Sequence, residues 1–152
     1  MAPAPGVLHI HVLRGSKLRN TSIIGKLDPF IRVAFGGNES ESEEFHNAGS
    51  ECNFDFILEL PFDETKFGFE LMFEVRRTRH FKNDETVGKV IVPIKDVIAA
   101  KEKHNAFEGM LDLSETGQPG EKFTGYLNVV YWWEVTAPNY VFPIPKKRLD
   151  KK

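Results

Sequence analysis

Val7-Leu8-His9-Ile10-His11-Val12-Leu13 sets Leu8, Ile10 and Val12 at every second position, with His9 and His11 between them. A period of two puts alternate side chains on opposite faces, so the stretch reads as a half-buried β-strand. The same period recurs along the chain. Ile31, Val33 and Phe35 mark a strand over 30–35, and Phe54, Phe56, Leu58 and Leu60 mark another. Phe69, Leu71, Phe73 and Val75 form a further set, as do Leu127, Val129, Tyr131 and Trp133 within 125–135. Strands are also expected over 87–92 and 106–113. Gly36-Gly37-Asn38 reads as a tight turn, and the acidic stretch that follows carries a short edge strand over 43–48. Residues 76–84 read as a long polar loop. Ile94, Val97 and Ile98 follow Pro93 at helical spacing, which fits one short connecting helix. Eight short strands with Gly-, Asn- and Pro-rich turns imply an all-β, eight-stranded antiparallel sandwich.

A chain of 152 residues suits one domain, here expected over 6–136, between a lead at 1–5 and a Pro-containing basic tail at 137–152. Twenty Lys and Arg against 22 Asp and Glu give a net charge of -2, so nucleic acid is not an expected partner. Cys52 is the single cysteine, which excludes an internal disulfide and suits a reducing compartment. The first residues lack the charge and apolar run of a signal peptide. A cytoplasmic location follows, at the cytoskeleton or a membrane surface.

Ordered motifs give a family resemblance. Gly6 to Leu13, a loop, and then Gly25-Lys26-Leu27-Asp28-Pro29-Phe30-Ile31-Arg32-Val33 resemble the opening of a C2 domain. Val87-Gly88-Lys89-Val90, Val92-Pro93-Ile94 and the closing Gly125-Tyr126-Leu127-Asn128-Val129-Val130 continue the likeness. The order resembles the type II permutation of that fold, in its small stand-alone form. Calcium-binding members hold their ions with five carboxylates on two loops, because calcium takes 6–8 oxygen ligands. Matched to that pattern, the positions here are Ser22, Asp28, Arg77, Arg79 and Glu85, with Arg76 and Thr78 as alternatives for the central pair. Two carboxylates remain, and guanidinium groups stand in place of others. A unit charge about 4 Å away is worth about 4 kcal/mol at an effective dielectric of 20, so such an arginine opposes calcium. The resemblance therefore implies a calcium-independent module with no metal and no cofactor.

Two partner classes remain. Ile23 and Ile24, with Arg76, Arg77, Arg79, His80, Phe81 and Lys82, offer apolar tips beside cations that would suit an anionic membrane. The equal alternative is a solvated loop over 76–82 whose charges pair with Asp84, Glu85 and the sandwich edge. Glu39, Glu41, Glu43 and Glu44 form an acidic edge that opposes a phosphoinositide headgroup. A basic loop, that acidic edge and the tail cations Lys146, Lys147, Arg148, Lys151 and Lys152 favour a protein partner, as for a small adaptor or scaffold component. Catalysis is not expected. His9 and His11 have no further ligand at metal spacing, Cys52 and His46 lack an orienting third group, and no phosphate loop or nucleophile elbow is present.

Overall fold

The chain is described by a computed structural model over residues 6–20, 27–46, 48–62, 70–79, 84–102, 106–118, 120–135 and 141, with 101 and 102 as backbone only. The alternation around Ile10 runs on to form β1 (Gly6–Ser16), in which Leu8, Ile10 and Val12 are fully buried. β2 (Pro29–Phe35), β3 (Asn38–Glu41), β4 (Phe56–Phe62), β5 (Leu71–Arg77) and β6 (Glu85–Val92) follow. The helix α1 (Ile94–Glu102) then leads to β7 (Phe107–Ser114) and β8 (Phe123–Val135). Every pairing is antiparallel.

The strand order is β3-β2-β5-β6-β7-β8-β1-β4. Only Lys89↔Ser114 joins β6 to β7, so the array bends there into two four-stranded layers, β3-β2-β5-β6 and β7-β8-β1-β4. β1 lies inside its layer between β8 and β4, the permuted arrangement expected from the sequence. The inward residues Ile31, Val33, Leu58, Leu60, Leu71, Phe73, Leu127 and Val129 fill the space between layers. Each large side chain so buried contributes about 1.5–3 kcal/mol. Aromatic rings tie the layers across one end, with Phe35 against Phe62 at 5.3 Å and Phe62 against Trp133 at 4.2 Å. Pro93 precedes the first turn of α1, and Val97 and Ala100 are its buried contacts.

Two sequence expectations are corrected. The edge strand lies at Asn38–Glu41 rather than 43–48. Gly36 and Gly37, at φ 60° and 85°, form a tight hairpin turn that only residues tolerant of positive φ adopt readily, so pairing resumes at once with Phe35↔Asn38. Beyond Glu41 the Ser42 hydroxyl takes the Ile31 N–H at 2.9 Å, which ends the ladder. Arg76 and Arg77 are the last residues of β5 rather than loop residues, because they pair with both Phe30 and Pro29 of β2 and Thr86 and Glu85 of β6.

Candidate functional site

One end of the β3-β2-β5-β6 layer carries four of the five positions that sequence reading matched to the family's calcium pattern: Asp28, Arg77, Arg79 and Glu85. Register sets Arg77 between Pro29 and Glu85, immediately beside Asp28. Arg77 Nε donates to Glu85 Oε1 at 3.1 Å, and Arg79 Nη1 donates to Glu85 Oε2 at 3.2 Å. Each oxygen of this carboxylate is thus taken by a different guanidinium. Arg76 turns the other way, donating to the Asp84 carbonyl at 3.0 Å and to Glu74 Oε2 at 2.7 Å. Ser22, Ile23, Ile24, His80, Phe81 and Lys82 lie outside the described residues.

Asp28 has a different set of neighbours. The segment after β3 runs beside β2, with Ser42 N donating to the Ile31 carbonyl, Phe45 N to Pro29 and Gly49 N to Leu27, at 2.8, 2.9 and 3.0 Å. Phe45 packs inward, edge-on to Phe54 at 5.5 Å. Glu44 and His46 flank it. His46 Nδ1 lies 3.6 Å from Glu44 Oε1 and 3.9 Å from Asp28 Oδ2, while the Thr78 hydroxyl donates to Glu44 Oε2 at 2.6 Å. Among the described residues, Asp28, Glu44 and His46 are the one group whose donor atoms converge, all within 4.8 Å of one another. Sequence reading assigned Glu44 to an acidic edge and weighed His46 with Cys52. The only linear signal for the cluster is the apolar Phe45 between two polar residues.

Two of the four acidic-edge residues, Glu39 and Glu44, hold side-chain contacts. Glu39 holds Arg32 in an ion pair, and this hydrogen bond raises the guanidinium above its usual range. Arg32 Nη1 also reaches Glu74 Oε1 at 3.3 Å. Glu74, with a side chain only 2% exposed, further accepts from Arg76 and the Thr86 hydroxyl. Glu43 is exposed and Glu41 half-buried. The tail cations 146–152 lie outside the described residues.

On the outward face of the other layer, His9 stacks on Trp132 at 4.8 Å between Glu59 and Glu134, and His11 bonds Asp55 at 2.6 Å. Both rings are half-buried. Ile57, Met110 and Trp132 are exposed on this face at 59%, 54% and 38%. Cys52 is buried, bridges to Gly15, and burial pushes its thiol up to about 11. A cleft of about 520 Å³ between β6, α1 and β7 is lined mainly by apolar residues such as Val90, Val92, Ala100 and Leu111. Among the described residues its ionisable lining groups are Asp96, Glu108 and Tyr131, and burial pushes the Tyr131 hydroxyl up to about 12.

Two facing four-stranded layers in this strand order define a C2 sandwich. The family model for the C2 domain matches residues 6–109, and the chain belongs to that family. It is similar to Synaptotagmin-1 of Arabidopsis thaliana, 27% identical over 132 residues, covering 82% of this chain and 24% of that protein. It is also similar to 16 kDa phloem protein 1 of Cucurbita maxima, 26% identical over 99 residues, covering 62% of this chain and 65% of that one. The chain thus spans less than two thirds of either relative. Among solved structures, the C2A domain of plant Extended Synaptotagmin 1 superposes with a TM-score of 0.70 at 18% identity, covering 90% of this chain and 99% of that one. Human GIVD cytosolic phospholipase A2 gives 0.70 at 16% identity, covering 90% of this chain and 18% of the enzyme. The C2 domain is a module known in membrane- and lipid-binding proteins. Among the described residues no helix is long and apolar enough to cross a membrane.

Proposed function

We propose that the chain is a non-catalytic C2 module that binds without calcium, as a small adaptor whose ligand is a protein. One observation carries the calcium independence: Arg77 and Arg79 take both oxygens of Glu85. A calcium ion would have to displace two guanidinium groups and accept their charge as neighbours, a cost that a site with few remaining carboxylates does not offset.

The choice of protein over lipid rests on the outward face of β7-β8-β1-β4. Exposed Ile57, Met110 and Trp132 stand there among five carboxylates. Asp55, Glu59 and Glu134 meet His9 or His11, while Glu108 and Asp112 are exposed, with Arg14 an exposed cation of this face. Apolar anchors within an anionic rim match a cationic protein surface and repel an anionic membrane. Thermal melting of the full chain in chelator and in millimolar calcium tests the first part. The wild type should show no shift, and Arg77→Asp combined with Arg79→Asp should acquire one. A calcium-dependent shift in the wild type would sink calcium independence. Co-sedimentation with phosphatidylserine vesicles in chelator tests the second part, with no binding expected. Binding that disappears with Phe81→Ser would replace the protein ligand with a membrane.

A further inference from the structure

We propose that Asp28, Glu44 and His46 form a binding site for a zinc-class divalent ion, distinct in ligand set and preference from the calcium site of the family. This goes beyond the binding role above and does not depend on it.

The donor set comes first. Two carboxylates and one imidazole are the mixed O/N ligands that zinc and its late first-row neighbours take readily. Calcium seeks 6–8 oxygens and gains little from an imidazole nitrogen, so the same three groups make a poor calcium site. Zinc bonds of about 2.0–2.2 Å in a tetrahedron place neighbouring donors about 3.3–3.6 Å apart. His46 Nδ1 already stands 3.6 Å from Glu44 Oε1 and 3.9 Å from Asp28 Oδ2, and every donor lies within 4.8 Å of the others. Closing on an ion therefore needs side-chain adjustment of an ångström or so, with no change of backbone. Three protein ligands leave the fourth position to water.

The scaffold around the cluster is fixed. Asp28 precedes the first residue of β2, and three backbone hydrogen bonds brace the segment bearing Glu44 and His46 against residues 27–31. Phe45, packed on Phe54, anchors the chain between the two ligands. The Thr78 hydroxyl donates to Glu44 Oε2 at 2.6 Å, the kind of outer contact that orients a ligating carboxylate, and Oε1 lies 3.6 Å from the imidazole. Arg77 and Arg79 each pair with Glu85, which offsets part of the charge they present to an ion at the cluster. Access is graded as a metal site requires: the Glu44 side chain is 6% exposed, Asp28 39% and His46 69%, so an ion reaches a buried carboxylate past an exposed imidazole.

The alternative is that His46 is simply a charged partner of the two carboxylates. Calorimetric titration of the full chain, stripped with chelator, distinguishes the two. Zinc should bind at one ion per chain with no response to calcium, and cobalt(II) should give the visible absorption of a four-coordinate site. His46→Gln, at an exposed position that does not threaten the fold, and Glu44→Gln should each weaken zinc at least about 100-fold. Thr78→Val should weaken it about 10–100-fold. His9→Gln with His11→Gln should leave it unchanged, and circular dichroism confirms that each variant is folded. Three outcomes overturn the site: no saturable zinc binding, binding that survives His46→Gln, or calcium competing on equal terms.

Discussion

Glu74 has the smallest exposure of any carboxylate in the described residues, yet it lies on the solvent side of its sheet. Arg32 from β2 and Arg76 from its own strand close over it, and Thr86 of β6 adds a hydroxyl. Removing one member of such a group leaves the others charged and partly dry. Glu74→Ala should therefore destabilise the domain by about 2–4 kcal/mol, below the full cost of breaking a deeply buried pair because both arginines keep some water. Urea unfolding measures this, and a loss under about 1 kcal/mol would mean that the cluster contributes little beyond an ordinary surface pair. Nothing in the linear sequence marks Glu74. Its neighbours Phe73 and Val75 face inward, so period two makes it an unremarked outward residue, and its burial arises only from the register that brings Arg32 opposite. Glu44 and His46 were hidden for the same reason, since their relation to Asp28 depends on how an irregular segment runs beside β2.

Elements with strong apolar alternation were legible, and those without it were not. β1, β2, β4, β5 and β8 follow the period of their buried residues closely. β3 was misplaced because Asn38–Glu41 has no large apolar side chain, and its pairing is dictated by the glycine turn before it. The junction of β6 and β7 was equally invisible, because one residue pair makes it. Gly88 sits beside this junction, where an added methyl would meet the Thr124 hydroxyl and lie 2.9 Å from Leu113 Cβ. Gly88→Ala should thus cost about 1–3 kcal/mol by overpacking the line where the two layers turn toward each other. The midpoint of urea unfolding should fall with little change in slope. An unchanged midpoint would show that the layers can part at this line without penalty.

Among the described residues of the whole fold, several charges that look segregated along the chain are matched in space. The arginines of the expected basic loop meet Glu74 and Glu85, and the acidic edge meets Arg32 through Glu39. The pairing of β1 with β8 has its own consequence. Gly6 stands opposite Val135, so the domain's way in and way out are neighbours on adjacent strands. A module wired in this manner can interrupt a host polypeptide with hardly any separation of the flanking segments. A circular permutant that joins 135 to 6 through a short glycine linker and opens at Gly36-Gly37 should keep the β-sheet signature of the parent by circular dichroism. Loss of that signature would show that the sandwich needs the covalent turn at Gly36-Gly37 to find its register.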